Sequence, residues 1–360
     1  MHFKPLAAAS ALSGMLLAAP DAGSAAAATM PRLEVLADLP AAPGNVTVGA
    51  DGTAVVSTHP SFAADQIGLR IAPDRTVTPF PHQDESAKLQ RVLSVRNDDA
   101  GHVWMLSGTP GPAKKDLYVV DVKSGALVRT ISIDAPGSFL NDMAMALDQG
   151  VIVISDPGGR SSLDILDVKS GALRKVLVGD RSVMPEDVDA PIDGIPLAQG
   201  RGADGKLTPM RSGVNPITID AHHQWVYYGA MTSRTLYRVR LADLLDTTLS
   251  DAQLAARVQR YGDKPPCAGI TIDNAGNVYV TDVGARGIGV TSPDGHYRLL
   301  VQDARLIDWP DGIAVGPGGY VYIAPNGLYR SWASHRFMGP SQPPYHLIRF
   351  KALADTTPGR

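Results

Sequence analysis

A single cysteine, Cys267, stands among the 360 residues, so the chain has no internal disulfide and its stability must come from packing. With no histidine or cation adjacent in sequence to activate it, Cys267 reads as a small buried hydrophobe. Neither sign of charge dominates. The 33 basic and 36 acidic residues are scattered and leave a net charge of −3, which gives no field for nucleic acid. Beyond the first 20 residues no apolar run approaches the length of a membrane span, about 20 residues. A glycine-rich phosphate loop, a nucleophile elbow and a zinc-spaced histidine pair are all missing. The lone glycines Gly158-Gly159 and Gly287-x-Gly289 read as turns.

The N-terminus has the order of a secretory leader. His2 and Lys4 precede an apolar run over 6–19, and the small residues at 22–28 offer Ala-x-Ala cleavage points. The expectation is a signal peptide over 1–28 and one mature domain over 29–360, secreted or periplasmic. The partner is a small molecule, with neither nucleic acid nor membrane indicated; oligomeric state is not legible.

After the leader one unit recurs: an apolar strand, a turn of Asp, Asn or Gly, and a second apolar strand ending in a small or polar residue. Ile270-Thr271-Ile272, Asp273-Asn274-Ala275-Gly276 and Val278-Tyr279-Val280-Thr281 form one copy. The Asp/Asn/Gly turns supply the positive φ and local hydrogen bonds of a tight hairpin. Some units continue into a second hairpin, and the stretch Asp-Val-Lys-Ser-Gly-Ala-Leu occurs twice, at 121–127 and 167–173. The unit starts fall near residues 44, 91, 141, 215, 268 and 311. Four strands at a period of about 40–50 residues mark propeller blades. The fold class expected is all-β, a six-bladed β-propeller closed by N- and C-terminal strands at 33–36 and 346–350. The one long step carries a Pro-, Gly- and Asp-rich insertion over 181–211. A helix capped by Ser250 is expected over 250–259, outside the ring.

First strands of blades line the central channel, so the residues just before them crowd the axis: Asn45, Arg91, Asn141-Asp142, Asn215, Ala268 and Asp311. Oxygen donors at Asn141, Asn215 and Asp311 suit a hard cation, Ca²⁺ or another divalent metal, the one cofactor this ring suggests. They equally suit orientation of a polar substrate, and each Asn or Asp taken singly is as readily a backbone cap. Arg91 would repel a cation but would pair with Asp142 or Asp311. His59, at the end of a second strand, points toward the channel mouth. The insertion 181–211 and the loop 326–345 are candidate pocket walls, with Trp309, Tyr329 and Trp332 supplying aromatic contacts.

Several segments together resemble the major royal jelly/yellow proteins, especially their bacterial relatives. They are Pro43-Gly44-Asn45-Val46-Thr47-Val48 with Asp51-Gly52, Phe139-Leu140-Asn141-Asp142-Met143 with Asp156, and Ser182-Val183-Met184-Pro185-Glu186. Two more are Tyr227-Tyr228-Gly229 through Leu236-Tyr237-Arg238-Val239, and Asp303-Ala304-Arg305-Leu306-Ile307-Asp308-Trp309-Pro310-Asp311-Gly312. The resemblance implies a secreted six-bladed propeller with a pocket for a small aromatic or amine-bearing molecule. Some members convert dopachrome, and others bind biogenic amines. The gluconolactonase/regucalcin propellers, which hold a divalent metal, are the rival likeness. Their first-blade Glu-Gly-Pro is Gly44-Asn45-Val46 here, which removes a carboxylate ligand.

Three readings follow. The first is tautomerisation, with Asp311 or Asp142 as base and Arg91 or an axial Asn stabilising enolate-like charge. The second is non-catalytic binding of a small amine through Asn45, Asn141, Asn215, Trp309 and Trp332. The third is metal-assisted lactone hydrolysis.

Overall fold

Each blade of the fold begins with an inner strand lying against the inner strands on either side, and six such strands close a ring. In the computed structural model, residues 1–2, 31–62, 64–108 and 113–359 are described, and those from Pro31 to Arg360 cluster as one unit. Residues 3–28 of the expected leader lie outside the described residues. Among the described residues no helix is long and apolar enough to cross a membrane.

The inner strands are Pro43–Val48, Val92–Asn97, Asp142–Ala146, Val214–Ile219, Cys267–Ile272 and Pro310–Gly316, opening blades 1 to 6. Every blade is a four-stranded antiparallel sheet, and in blades 1 to 5 the strands follow chain order outward. Blade 6 is composite. Its third strand, Tyr345–Lys351, pairs with Glu34–Leu39 from the other end of the chain, with Glu34 opposite Arg349 and Leu39 opposite Tyr345. The expected closure is therefore present, and it covers a strand edge that would otherwise be open.

Turn chemistry follows the residues. Asp121 accepts the Ser124 N–H at 2.6 Å and Asp167 accepts the Ser170 N–H at 2.7 Å, so the repeated heptapeptide makes one turn twice. The glycines that follow, Gly125 and Gly171, take φ values of 68° and 76°, which disfavour a side chain.

The helix expected over 250–259 is shorter. Ser250 and Gln253 form a reciprocal capping box, but the helix spans Asp251–Ala255 only. Gln259–Asp263 is the outer strand of blade 4 and pairs with Thr235–Arg240, so sheet hydrogen bonds override the helical pattern.

The core is divided rather than central. Six apolar clusters lie between successive blades, such as Val55, Val95 and Met105 between blades 1 and 2. A seventh, including Ile192, Met210, Trp309 and Tyr329, lies beneath the insertion and the late loop. Cys267 is fully buried, as expected, and burial pushes its thiol up, the neighbouring Lys264 ammonium opposing the rise.

Candidate functional site

The axial positions are shaped by one repeated irregularity. The inner strands of blades 1, 2, 4, 5 and 6 break register with their neighbours at residues 43–46, 92–94, 214–217, 267–270 and 310–312. A bulge of this kind re-aims the extra side chain and leaves its backbone partly unpaired. Asn45, Leu93, Asn215, Ala268 and Asp311 sit at these bulges, and all line a cavity of about 460 Å³ at the channel mouth. Blade 3 has no bulge and contributes Asn141 and Asp142 to the same cavity.

The small polar residue ending the second strand has a purpose here. Ser57 accepts the Asn45 N–H at 2.9 Å and donates to the Leu93 carbonyl at 2.9 Å. Thr281 accepts the Ala268 and Gly269 N–H groups at 3.0 and 2.8 Å. Ser155 accepts the Asp142 N–H and donates to the Asn215 carbonyl at 2.7 Å. These hydroxyls satisfy backbone groups that irregular pairing would strand in the interior. Close approach at the axis also requires glycine: a Cβ on Gly312 would stand 2.7 Å from Asn45 Cα.

Asp142 is saturated with donors. Its Oδ1 accepts from Ser94 Oγ (2.5 Å), Asn45 Nδ2 (3.1 Å) and the Met143 N–H (2.8 Å), and its Oδ2 accepts from Arg96 Nη2 (3.0 Å). Arg96 Nη1 also donates to Asn45 Oδ1 at 2.7 Å. Arg91, the cation expected on the axis, is not in the cavity lining, and its Nη2 donates to the Phe62 carbonyl at 3.3 Å. The reason is the blade 2 bulge, which brings Leu93 to the axis instead. Arg96 is the residue that sequence reading missed, and its signal was a lone charge inside the apolar strand Val92–Asn97.

Asp311 has no cationic partner of this kind. Asn326 Nδ2 donates to its Oδ2 at 2.7 Å and to the Pro43 carbonyl at 2.9 Å, locking the first and last blades together. Burial pushes the Asp311 carboxyl up to about 7, the Asn326 amide opposing the rise and the charge of Asp142 adding to it. Beside it, His59 Nε2 lies 3.7 Å from Asp311 Oδ2, and His59 Nδ1 accepts the Ser61 N–H at 3.1 Å. Burial pushes the His59 imidazole down to about 4.

Both expected walls are present. The insertion contributes Gln199, Met210 and Arg211, and the late loop contributes Leu328 and Trp332. Arg286 ties them together, donating to Asp193 Oδ2 at 2.5 Å and to the Tyr329 hydroxyl at 2.7 Å. Trp309 is 1% exposed, holds a left-handed φ of 57° and meets Trp332 edge-on at 4.8 Å. Its indole N–H has no partner among the described residues, and backbone strain with an orphaned donor on a cavity wall is an arrangement found at functional sites. Tyr329 stands behind Trp309, outside the lining.

The proposed metal donors are near one another but are not a ready ligand set. Asn141 Nδ2 donates to Asn215 Oδ1 at 2.6 Å, so the two amides engage each other, and Asp142 carries Arg96. Asp311 is then the one axial carboxylate left, and no three His, Cys, Asp or Glu side chains converge among the described residues. A Ca²⁺ ion takes six to eight oxygens, and Asn141, Asn215 and Asp311 would supply only part of that shell.

The fold is shared widely. A gluconolactonase from Xanthomonas campestris is 14% identical, with a TM-score of 0.56 over 89% of each chain. A virginiamycin B lyase from Staphylococcus aureus is 14% identical, with a TM-score of 0.53 over 90% of this chain and 99% of that one. A calcium-binding regucalcin from Agrobacterium tumefaciens is 15% identical, with a TM-score of 0.52 over 92% of this chain and 97% of that one. At these identities the likeness is one of fold. No curated protein sequence matches the chain. Residues 97–329, well over half of the chain, match the major royal jelly protein family, and the chain belongs to that family.

Proposed function

We propose that this protein is an exported catalyst of proton transfer, a tautomerase acting on a small cyclic or quinonoid carbonyl compound of the dopachrome type. The observation that carries this reading is the Asp311 carboxyl, half-buried at the cavity wall and held near 7 by partial desolvation. A base poised near the working pH both accepts a proton and gives it back, as tautomerisation requires. Asn326 fixes one carboxyl oxygen. The axial amides of Asn45, Asn141 and Asn215 orient a polar ring, and Phe139, Trp309 and Trp332 supply flat apolar surface. Asp142, surrounded by donors, serves as scaffold rather than base.

The experiment is dopachrome or phenylpyruvate tautomerisation followed by absorbance in wild type and Asp311→Asn. Turnover lost in the variant supports the reading. Equal rates in the two proteins would sink it. A second reading, capture of a small amine without chemistry, is favoured by the same carboxyl among aromatic rings. It predicts that Asp311→Asn weakens amine affinity while no tautomerisation is seen in either protein.

A further inference from the structure

We propose that His59 is a second catalytic group of this site, presenting its Nε2–H to the carbonyl oxygen of a ketone whose acidic C–H lies on the adjacent carbon. The inference rests on the proton-transfer reading of Asp311.

Four observations carry it. First, the tautomer is set. His59 Nδ1 accepts the Ser61 backbone N–H at 3.1 Å, so the neutral ring carries its hydrogen on Nε2. Second, the ring plane is held: the Phe62 ring meets it nearly perpendicular, at 80° with centroids 5.8 Å apart. Third, both His59 and Asp311 line the cavity, and the 3.7 Å between His59 Nε2 and Asp311 Oδ2 is too long for a good hydrogen bond. Asn326 holds Oδ2 at 2.7 Å, so Oδ1 is the oxygen that takes the substrate proton while Nε2–H turns to the carbonyl. Fourth, the imidazole is only 10% exposed, an environment that disfavours the imidazolium. Asp311 is the charged group that faces it across the cavity; Arg91 reaches the neighbouring Phe62 carbonyl.

A neutral N–H donor has a particular value beside a carboxylate base. An arginine or lysine there would pair with Asp311 and weaken it as a base, whereas a neutral imidazole polarises a carbonyl and leaves the carboxylate free. Two groups this close serve neighbouring parts of one substrate. That geometry suits a carbonyl oxygen and a hydrogen on the adjacent carbon.

The step balances without any co-reactant. Asp311 removes the proton from the carbon next to the carbonyl. The C–H electrons form the C=C bond, and the carbonyl π electrons move onto oxygen, where the His59 N–H stabilises the developing charge by hydrogen bonding without giving up its proton. The Asp311 carboxyl then delivers the proton to that oxygen, forming the enol and restoring the carboxylate. Reversal runs the same path.

The test uses the mature protein with 2-tetralone, following exchange of its α-hydrogens in D₂O by NMR, together with binding of 2-naphthol and of naphthalene. 2-Naphthol mimics the enol and naphthalene lacks the oxygen. His59→Phe is expected to slow exchange by roughly 10²–10³-fold, the usual loss for one oxyanion donor. It should weaken 2-naphthol binding while leaving naphthalene binding unchanged. His59→Gln keeps an N–H donor and should recover at least part of both, which covers the case that the Phe variant folds poorly. Exchange and 2-naphthol affinity unchanged in His59→Phe, with exchange lost in Asp311→Asn, overturn the role of His59 and leave the base in place. No exchange by the wild type overturns the proton-transfer reading, and this inference with it.

Discussion

Arg96 Nη2 and Asp142 Oδ2 meet at 3.0 Å with side chains only 2% and 7% exposed, and this ion pair joins blades 2 and 3 beside the axis. Its partners, Asn45 and Ser94, extend the network into blade 1 and along blade 2. A pair this deep contributes little relative to an apolar replacement, but breaking one side leaves a charge without compensation. Arg96→Met is therefore expected to cost about 3–5 kcal/mol in urea unfolding. Arg96→Met combined with Asp142→Asn should cost less than the single change. A double variant that loses as much as the sum of its parts would show that the two side chains are not coupled.

Asp311→Asn should trade activity against stability. Its turnover is expected to fall by about 10²–10⁴-fold, the range for a lost general base. Wild-type kcat/KM should rise with pH and level off above about 7, because the ionised carboxylate is the active form. Stability runs the other way. The folded carboxyl titrates near 7 and the unfolded one at the ordinary value of 3.8, so the contribution of this group falls as pH rises between those values. Above pH 7 the variant should be the more stable, by on the order of 2 kcal/mol, with the difference vanishing below pH 4. Matched unfolding curves at both pH values check this.

Metal removal separates base from ligand. With Asn141 and Asn215 hydrogen-bonded to each other and Asp311 near neutral pKa, prolonged EDTA treatment is expected to leave turnover unchanged. Loss of activity on chelation, restored by Ca²⁺ or Zn²⁺ and absent in Asp311→Asn, would reassign Asp311 as a ligand.

Closure of the ring can be tested by deleting residues 29–39. Leu36 and Leu39 are buried against blade 1 and its neighbours, each about 2 kcal/mol of apolar burial. Their loss, with the exposed edge of Tyr345–Lys351, should lower Tm by on the order of 10 °C and promote aggregation. A truncated protein with unchanged Tm would mean that Glu34–Leu39 closes nothing of consequence.

Much of this protein is local and therefore legible in the chain. The alternation of apolar strands, the Asp and Gly turns and the twice-used heptapeptide depend on neighbours in sequence, and they were enough for six blades and a terminal closure. Family membership followed from other local segments, among them Phe139-Leu140-Asn141-Asp142-Met143 and the run from Asp303 to Gly312. The ring Asn45, Asn141, Asp142, Asn215 and Asp311 was also reachable, because each lies at the start of a repeat.

What the tertiary structure decided is which of those polar groups are free. Bulges moved the axis of blade 2 from Arg91 to Leu93, a shift that depends on pairing with a second strand. Arg96 took up Asp142 from 46 residues away, and Asn326 reached Asp311 and the Pro43 carbonyl across the closing blade. The carboxyl that remains near neutral, and the histidine whose N–H faces it, are products of burial and partner supply. Those are properties of the closed ring, since desolvation exists only once six blades have surrounded the site.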